Sequence, residues 1–294
     1  MAGEVDVDGR RLRLSNLDKV LYPAAGFAKG QVIDYYTRVA PTLLPHLRRR
    51  PLTLKRYPNG VEDKFFYEKQ KPSHAPEWVE SAPIQMGDRL IDFVLCDDLP
   101  TLVWLANLAD LELHPSLSVA EDPDRPTVLA FDLDPGPPAG LPECREVALL
   151  LRDALSQLGL ESFPKSSGSK GMQVYAPLNA PVTYGETKPF AHALAQLLER
   201  RHERLIVSSM KKSLRAGKVL IDWSQNDRHK TTVAAYSLRA RERPTVSTPL
   251  SWDEVEDDAA TLVFEAGELL ERVADVGDLF APVLELEQEL PALG

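Results

Sequence analysis

The stretch that most constrains the fold of this chain is an apolar run that ends abruptly, PTVLAFDLDPG at residues 126–136. Its length and continuous hydrophobicity predict a buried strand. Pro135 and Gly136 end that strand, since a Pro-Gly pair is typical of a turn. The residues that follow, 143–160, place apolar side chains on one face and stop at Gly159, which predicts an amphipathic helix.

Strands and helices continue to alternate on both sides of this run. Further strands are expected at 51–60, at 90–98, at 173–178 and on either side of 211–218, and further helices at 28–47 (broken near Pro41 or Pro45), at 99–114 and at 186–203. The 294 residues contain no internal repeat and no low-complexity linker. The simplest interpretation is a single mixed α/β domain over residues 1–294.

The charge of the chain is unevenly distributed. The formal net charge is −10, but residues 251–294 alone carry 13 acidic side chains and one basic side chain. We expect this acidic C-terminal segment to be helical, because its apolar positions recur at helical spacing. The remainder is nearly neutral and contains basic clusters at 46–56, 199–204 and 211–218, which can bind phosphates or simply face solvent.

The sequence shows no sign of a membrane protein or of a secreted protein. No run approaches the ~18 apolar residues of a membrane helix, and the N-terminus lacks the apolar core of a signal peptide. Cys96 and Cys144 stand far apart and outside any zinc-binding spacing. We therefore expect a cytoplasmic protein with no membrane partner and with both thiols buried.

Two aspartates one residue apart close the strand at 126–136. In a strand, Asp132 and Asp134 project to the same side, and two like charges at that spacing are unfavourable without a cation. Asp222 ends another apolar strand, and three carboxylates from two strands can hold a pair of hard cations. The alternative is that Asp132 and Asp134 are ordinary polar residues at the start of a turn.

A glycine-rich stretch, KSSGSKGMQVYAPL at 165–178, precedes a predicted strand. Backbone N–H groups in such a turn can surround a phosphate, with Lys170 supplying a positive charge. The spacing is not that of a Walker loop, and an ordinary polar hairpin is the alternative.

Other side chains suit contact with nucleic acid or nucleotide. Phe65 and Phe66 face opposite sides if they lie in a strand, so one of them can be exposed for base stacking; the alternative is burial of both by different layers. His114 ends the predicted helix 99–114, where a histidine is more often a structural residue or a helix-end cation than a ligand. Arg239 follows a predicted strand and can reach a triphosphate or remain on the surface.

Taken together, eight stretches resemble one known family. They occur in this order: NLDKVLYP, RPLTLKRYPNG, FFYEKQ, LELHP, FDLDPG, SGSKG, SLRAGKVLIDWSQN and TTVAAYSLRAR. They are similar to the polymerase domain of bacterial non-homologous end-joining ligase D, in the archaeo-eukaryotic primase superfamily, over roughly residues 11–280. The resemblance implies an α+β fold, a two-lobed catalytic core with an RRM-like antiparallel sheet. Because nothing in the chain resembles a ligase or nuclease, we expect a stand-alone, mycobacterial-type primase-polymerase.

The resemblance also implies roles for individual residues. The catalytic and metal-binding carboxylates, which would hold two Mn²⁺ or Mg²⁺ ions, match Asp132, Asp134 and Asp222. The residues that hold the incoming nucleotide match His114, Ser167, Lys170, Gln173 and Arg239. The residues that grip the 5′-phosphate at a gap or break match Asn16, Lys19 and Lys29. The residues that contact the template or the primer end match Phe65, Phe66 and Arg215.

The chain departs from the family pattern at two positions. Gln173 stands where the family usually has a histidine, and glutamine donates a neutral hydrogen bond but carries no positive charge. We expect this change to affect triphosphate binding rather than metal chemistry. Gln225 stands where some relatives have an arginine, for which Lys230 or Arg228 can substitute.

The resemblance leads to one functional hypothesis with two alternatives. We expect a template-directed, DNA-dependent nucleotidyltransferase that fills short gaps or breaks with a downstream 5′-phosphate in DNA repair, by a two-metal mechanism. Its substrates would be NTPs and dNTPs, with a preference for ribonucleotides, and other DNA-repair proteins are possible partners. The alternatives are a non-catalytic module that binds DNA ends or gaps, and a primase that starts chains de novo.

Overall fold

The computed structural model describes residues 3–292 of the chain. The strands are β1 Gly3–Val7, β2 Arg10–Leu14, β3 Val20–Tyr22, β4 Phe27–Ala28, β5 Leu52–Arg56, β6 Phe66–Glu68, β7 Ser81–Met86, β8 Arg89–Val94, β9 Asp110–Pro115, β10 Val128–Pro135, β11 Phe163–Ser166, β12 Met172–Pro177, β13 Ile206–Val207, β14 Val219–Asp222, β15 Thr245–Val246 and β16 Phe264–Glu265. The α-helices are α1 Lys29–Leu47, α2 Leu99–Asn107, α3 Leu141–Gln157, α4 Tyr184–Arg201, α5 Trp252–Glu256, α6 Ala266–Val276 and α7 Pro282–Glu285. Short 3₁₀ turns occupy Pro23–Ala25, Lys212–Leu214 and Trp223–Gln225. These elements confirm the predicted mixed α/β class.

The chain divides into two compact units, each assembled from three separate segments. Of the described residues, unit one holds those within Met1–Glu121, Thr231–Ser247 and Phe264–Gly277. Unit two holds those within Asp122–Lys230, Thr248–Val263 and Asp278–Gly294. The prediction of a single catalytic domain over 1–294 stays a prediction.

Unit one is built on an antiparallel sheet centred on β5. Strands β6, β8 and β9 all pair with β5, and β7 extends the sheet from β8. Leu52 and Leu54 of β5 are buried, as expected for a strand with neighbours on both sides. Helix α1 packs against α2 and runs unbroken through Pro41 and Pro45, so the predicted break is wrong. Burial of its apolar face outweighs the hydrogen bonds that the two prolines cannot donate.

The stretch predicted as one helix over 99–114 is in fact a helix followed by a strand. Asp98 caps α2 by accepting a hydrogen bond from the Thr101 backbone N–H at 2.9 Å. The helix ends at Asn107, and Ala109 takes a positive φ of 57° that redirects the chain into β9. Pairing with β5 then holds residues 110–115 extended. His114 therefore lies in a strand, and its predicted position at a helix end is wrong.

Unit two is built on a five-stranded sheet in the order β11-β12-β10-β14-β13. All neighbours are antiparallel except β13 and β14, which are parallel. The predicted strand 126–136 is β10, at the centre, and its apolar residues from Val128 to Phe131 are buried. Helices α3 and α4 pack against this sheet and contact each other. The centre of the sheet therefore presents the end of β10, with its aspartates, between two paired strands.

The acidic segment 251–294 is only partly helical. It forms the short helices α5, α6 and α7, and Phe264 and Glu265 between them form β16, which pairs with β15. Near its end, the Gln288 backbone N–H donates to the Leu178 carbonyl at 2.9 Å. The prediction of a helical segment is therefore correct only in part, because the rest of the segment forms β16, turns and irregular backbone. No helix among residues 3–292 is long and apolar enough to cross a membrane.

Candidate active site

Four polar side chains form one row across the sheet of unit two. Asp132 of β10 lies directly opposite Gln173 of β12 on one side and Asp222 of β14 on the other. Lys165 of β11 in turn lies opposite Gln173. Directly opposed residues of antiparallel strands project to the same face, so the four side chains lie in sequence on one face of the sheet. The predicted carboxylates Asp132 and Asp222 are thus cross-strand neighbours, and Lys165 is a member that sequence reasoning missed.

Both carboxylates of the row accept hydrogen bonds from neutral side chains. The Gln173 amide nitrogen donates to Asp132 Oδ1 at 3.0 Å, and Gln173 is only 4% exposed. Asp222 Oδ1 accepts from the Ser224 backbone N–H at 2.9 Å, and its Oδ2 accepts from the Gln225 amide at 3.0 Å. The two glutamines that depart from the family pattern therefore both contact the predicted metal-binding aspartates.

Asp132 is held in surroundings that disfavour its charge. Burial, followed by the repulsion of Asp134 and Asp222, raises the pKa of Asp132 to about 7, although the hydrogen bond from Gln173 and the charge of Lys165 act in the opposite direction. Lys165 is itself 1% exposed, so the charge at its end of the row is buried rather than in solvent. A bound cation would favour the ionised form of Asp132.

Two glycines allow two loops to approach the end of β10. A Cβ atom on Gly171 would lie 2.1 Å from the Leu133 carbonyl oxygen, and one on Gly136 would lie 1.9 Å from the Arg215 carbonyl oxygen. Neither position tolerates a side chain without movement of the backbone. Asp134, which is exposed, therefore lies on a strand end that both loops contact through their main chains.

The first loop, residues 167–171, is closed on itself by Ser167. The Ser167 hydroxyl accepts hydrogen bonds from the backbone N–H groups of Ser169 at 3.3 Å and Gly171 at 3.2 Å, and its own N–H donates to the Gly171 carbonyl at 3.0 Å. Lys170 at the tip is exposed. The structure thus shows Ser167 shaping the loop and leaves Lys170 accessible to an anion.

The second loop, residues 211–218, is tied to the Pro-Gly turn at the end of β10. The Gly136 N–H donates to the Lys218 carbonyl at 2.8 Å, and the Gly217 N–H donates to the Gly136 carbonyl at 3.0 Å. Arg215 donates from Nη2 to the Met210 carbonyl at 2.8 Å within the same stretch. The predicted basic residue Arg215 is therefore brought to the same strand end as Asp134.

The donor set at this strand end suits a hard divalent cation, because carboxylate oxygens are the preferred ligands of Mg²⁺ and Mn²⁺. Among residues 3–292, however, no three acidic, histidine or cysteine side chains are already gathered as a metal-binding cluster. The bonds that Ser224 and Gln225 donate engage both oxygens of Asp222. The carboxylates of Asp132, Asp134 and Asp222 are thus ligands of the type that these cations prefer. Binding of two ions stays a prediction.

In unit one, three cationic or potentially cationic side chains surround a buried acid, Glu112. The carboxylate lies 3.1 Å from Lys55 Nζ, 3.0 Å from His114 Nε2 and 3.4 Å from Arg239 Nε. The structure thus brings together His114 and Arg239, which are predicted to hold nucleotide. Sequence reasoning missed Glu112 and Lys55; the alternation of Glu112 and His114 along one strand was an available indication.

Electrostatics within this group follow from burial and charge. Burial alone would raise the pKa of Glu112, but the hydrogen bond from His114 and the charges of Arg239 and Lys55 outweigh it and hold that pKa far below its ordinary value. Burial lowers the pKa of His114, and Glu112 offsets this only in part. Near pH 7 Glu112 is therefore ionised and His114 is neutral, and burial also lowers the pKa of Lys55.

Above Lys55 lies an exposed aromatic cluster. The ammonium is within 5.6 Å of the ring centres of Tyr57, Phe65 and Tyr67. Phe65 is 47% and Tyr67 62% exposed. Phe66 is also exposed, so the alternative in which Phe65 and Phe66 are both buried is wrong. Phe65 and Tyr67, two residues apart, share the cluster, and Tyr67 is a member that sequence reasoning missed.

The structure also brings together the residues predicted to bind a 5′-phosphate. The Lys29 N–H donates to the Lys19 carbonyl at 2.8 Å, and the Lys19 N–H donates to the Asn16 carbonyl at 3.0 Å. Lys19 Nζ bonds Asn59 Oδ1 at 2.9 Å, and Lys29 Nζ bonds the Ser15 carbonyl at 2.7 Å. Burial and then the charge of Lys19 lower the pKa of Lys29 to about 8. Two lysines linked in this way, of which Lys29 is 6% exposed, form a candidate anion site.

Comparisons with known proteins agree with the family resemblance of the sequence. The sequence profile described as "LigD, primase-polymerase domain" matches residues 28–280. The chain is 43% identical over 276 residues to the multifunctional non-homologous end joining protein LigD of Mycolicibacterium smegmatis, covering 93% of this chain and 36% of that protein. It is 31% identical over 282 residues to the bifunctional non-homologous end joining protein LigD of Bacillus subtilis, covering 96% of this chain and 45% of that protein. The chain thus spans less than half the length of these relatives.

A solved structure extends the similarity to three dimensions. The polymerase domain from Mycobacterium tuberculosis ligase D, in complex with DNA, superposes with a TM-score of 0.88 at 42% identity. The match covers 93% of this chain and 98% of that domain. It confirms the predicted fold.

Proposed function

Because this chain belongs to the family of LigD primase-polymerase domains, we propose that it is a template-directed nucleotidyltransferase acting on DNA in repair. The observation that carries the proposal is the placement of Asp132 and Asp222 as cross-strand partners, with Asp134 two residues along the same strand. Two basic loops meet that strand end through Gly136 and Gly171. Carboxylates beside anion-accepting loops suit transfer of a nucleotidyl group from a triphosphate.

The proposed reaction joins a primer 3′-hydroxyl to the α-phosphate of an incoming nucleotide, with pyrophosphate leaving. Asp132, Asp134 and Asp222 would hold two Mn²⁺ or Mg²⁺ ions, which lower the pKa of the hydroxyl and neutralise phosphate charge when bound. Lys170, on the loop that Ser167 shapes, would contact phosphate oxygens. Gln173 would hold the Asp132 carboxylate in one orientation through its 3.0 Å hydrogen bond.

The surfaces of unit one support DNA as the substrate. The exposed rings of Phe65 and Tyr67 suit stacking on bases of the template. Lys19 and Lys29 suit a 5′-phosphate at the downstream side of a gap. The solved neighbour is described in complex with DNA, which is consistent with this assignment. A preference for ribonucleotides and an association with other repair proteins are further parts of the proposal, and they rest on the family alone.

Primer extension on a short gapped duplex with a 5′-phosphate tests the proposal. We expect synthesis by the wild-type chain with Mn²⁺ or Mg²⁺ and its loss, by at least about 10³-fold, in Asp132→Ala. Asp153→Ala, which removes an exposed acid of α3 in the same unit, is the matched control and keeps full activity. Undiminished synthesis by Asp132→Ala would contradict the catalytic assignment. Binding of gapped DNA without any synthesis would favour the end-binding module, and synthesis on an unprimed template would favour a primase.

A further inference from the structure

Glu112 is the centre of an interaction network whose members come from three parts of the chain. Lys55 is its cross-strand neighbour on β5, His114 lies two residues along β9, and Arg239 comes from the distant segment 231–247. The Ala240 N–H also donates to Glu112 Oε1 at 3.0 Å, which fastens that segment to the strand. The carboxylate is thus held by side chains of β5 and β9 and by the backbone beside Arg239.

We propose that Glu112 is a positioning residue that fixes the orientation of His114 and Arg239 for nucleotide binding without itself touching the nucleotide. This inference rests on the proposed function, which assigns nucleotide contacts to His114 and Arg239. The Glu112 side chain is 2% exposed, so it is screened from any ligand. His114 at 14% and Arg239 at 12% are less deeply buried.

The contact with Glu112 also selects one tautomer of His114. The carboxylate only accepts hydrogen bonds, so His114 Nε2, 3.0 Å from Oε2, must carry a proton. In the neutral ring, Nδ1 is then the acceptor nitrogen. Glu112 therefore determines both where the imidazole lies and which of its nitrogens can accept a hydrogen bond.

The contact with Lys55 extends the effect to the aromatic cluster. Lys55 Nζ lies 3.1 Å from Glu112 and 4.9 Å from the ring centre of Phe65. Tyr67 pairs with Lys55 across β6 and β5, so Tyr67, Lys55 and Glu112 form a row across three strands. Loss of the carboxylate would leave Lys55 and Arg239 repelling each other in a largely buried site.

Glu112→Gln separates this role from a merely structural one. The amide keeps an oxygen that can accept from Ala240 but has no charge. If the wild-type chain extends primers, we expect the KM of Glu112→Gln for nucleotide to be about tenfold higher than that of the wild type, with a smaller fall in kcat. In ¹⁵N NMR spectra of the substrate-free full chain, the His114 ring, assigned by comparison with His114→Gln, should lose the single Nε2–H tautomer. Glu265→Gln, which removes the acid paired with Arg243 elsewhere in unit one, is the matched control and changes neither readout.

An unchanged His114 signature in Glu112→Gln would overturn the proposal, as would an unchanged KM in an active chain. The NMR measurement needs no substrate, so it decides the positioning role even if the wild-type chain makes no product. Should Glu112→Gln fail to fold, Glu112→Asp replaces it. The shorter carboxylate keeps the charge but not the reach, and a KM shift of about threefold is expected; a wild-type KM and ring signature in that variant would count against the role.

Discussion

The Gln173 amide and the Asp132 carboxylate are directly opposed on β12 and β10 and share a 3.0 Å hydrogen bond. Family resemblance assigns the position of Gln173 to a triphosphate contact, yet its side chain is buried and turned to the first aspartate. A neutral donor on Asp132 fixes one carboxylate oxygen without supplying a counter-charge. The structure thus connects the main departure from the family pattern with the proposed metal ligands.

Replacement of Gln173 by leucine tests this connection. Loss of one hydrogen bond to a charged group corresponds to about 1.5–3 kcal/mol, so we expect kcat to fall at least about tenfold. The concentration of Mn²⁺ needed for half-maximal synthesis should rise, while the KM for nucleotide changes less. Primer-extension kinetics with nucleotide and Mn²⁺ varied separately measure both. Gln157→Leu, at an exposed glutamine of α3, is the control. An increase confined to the nucleotide KM would instead place Gln173 on the triphosphate.

Asp132→Asn should stabilise the metal-free protein although it abolishes synthesis. The pKa of Asp132 is raised from an ordinary value of 3.8 to about 7 in the folded state. The free energy of unfolding therefore falls as the pH rises from 3.8 to about 7 and Asp132 loses its proton. We expect the variant to exceed the wild type by about 1–3 kcal/mol at pH 8 in EDTA, with the difference vanishing near pH 4. Urea unfolding at the two pH values measures it. An equal difference at both pH values would contradict the explanation by charge.

Addition of Mn²⁺ provides the companion measurement. If the cation occupies the aspartate site, it should raise the melting temperature of the wild type and leave that of Asp132→Asn nearly unchanged. Asp153→Asn should respond as the wild type does.

Gly171→Ala should disable the first loop at the end of β10. The added Cβ would lie 2.1 Å from the Leu133 carbonyl oxygen, so the loop or the strand must shift. We expect a loss of about 1–3 kcal/mol in the free energy of unfolding and a larger proportional loss of synthesis. Gly267→Ala is the matched control, because a Cβ there meets nothing within 4 Å and its helical position favours alanine. Full activity in Gly171→Ala would show that the close approach is not needed.

The double variant Lys19→Ala/Lys29→Ala should remove discrimination between gaps with and without a 5′-phosphate. We expect the Kd for phosphorylated gapped DNA to rise at least tenfold and the Kd for the 5′-hydroxyl form to change little. Because the pKa of Lys29 is lowered to about 8, the wild-type preference should also weaken as the pH rises from 7 to 9. Fluorescence anisotropy at fixed salt measures each value. Arg11→Ala/Arg13→Ala, at two exposed arginines of β2 in the same unit, serves as the control.

Phe65→Ala and Tyr67→Ala should weaken binding to the template strand without unfolding the protein. Base stacking contributes about 1–3 kcal/mol per base, and both rings are largely exposed, so little packing is lost. We expect the Kd for a gapped substrate to rise about tenfold for each, whereas Leu90→Ala, at an exposed apolar residue of the same unit, has no effect. Unchanged affinity in both ring variants would remove the aromatic cluster from the DNA-binding surface.

The sequence predicted the elements of the site better than their contacts. Asp132, Asp134 and Asp222 could be found because each ends a short apolar run, and period-two alternation relates the first two. The row that Asp132 and Asp222 form with Gln173 and Lys165 depends on the register of three strand pairs, which local patterns do not encode. The sequence around Lys165 is typical of a solvent-exposed lysine. Only the pairing of β11 with β12 shows that its side chain belongs to the row.

The errors in the fold have similar causes. The run 99–114 contains no proline or glycine between its helix and strand, and the turn uses Ala109 at positive φ, where glycine or asparagine is the usual residue. The Glu112 network joins residues more than a hundred positions apart, so no window of sequence contains it. Both the change from helix to strand within 99–114 and the Glu112 network are therefore determined by tertiary contacts rather than by local sequence.

The segmented construction of the two units has a consequence for synthesis on the ribosome. Unit one includes residues within Phe264–Gly277 and unit two includes residues within Asp278–Gly294, so neither unit can form all its contacts before those residues have left the exit tunnel. The sheet that carries Asp132 emerges well before the helices α5 and α7 that complete its unit. Until those residues have emerged, each unit lacks part of its packing and exposes apolar surface, which favours aggregation.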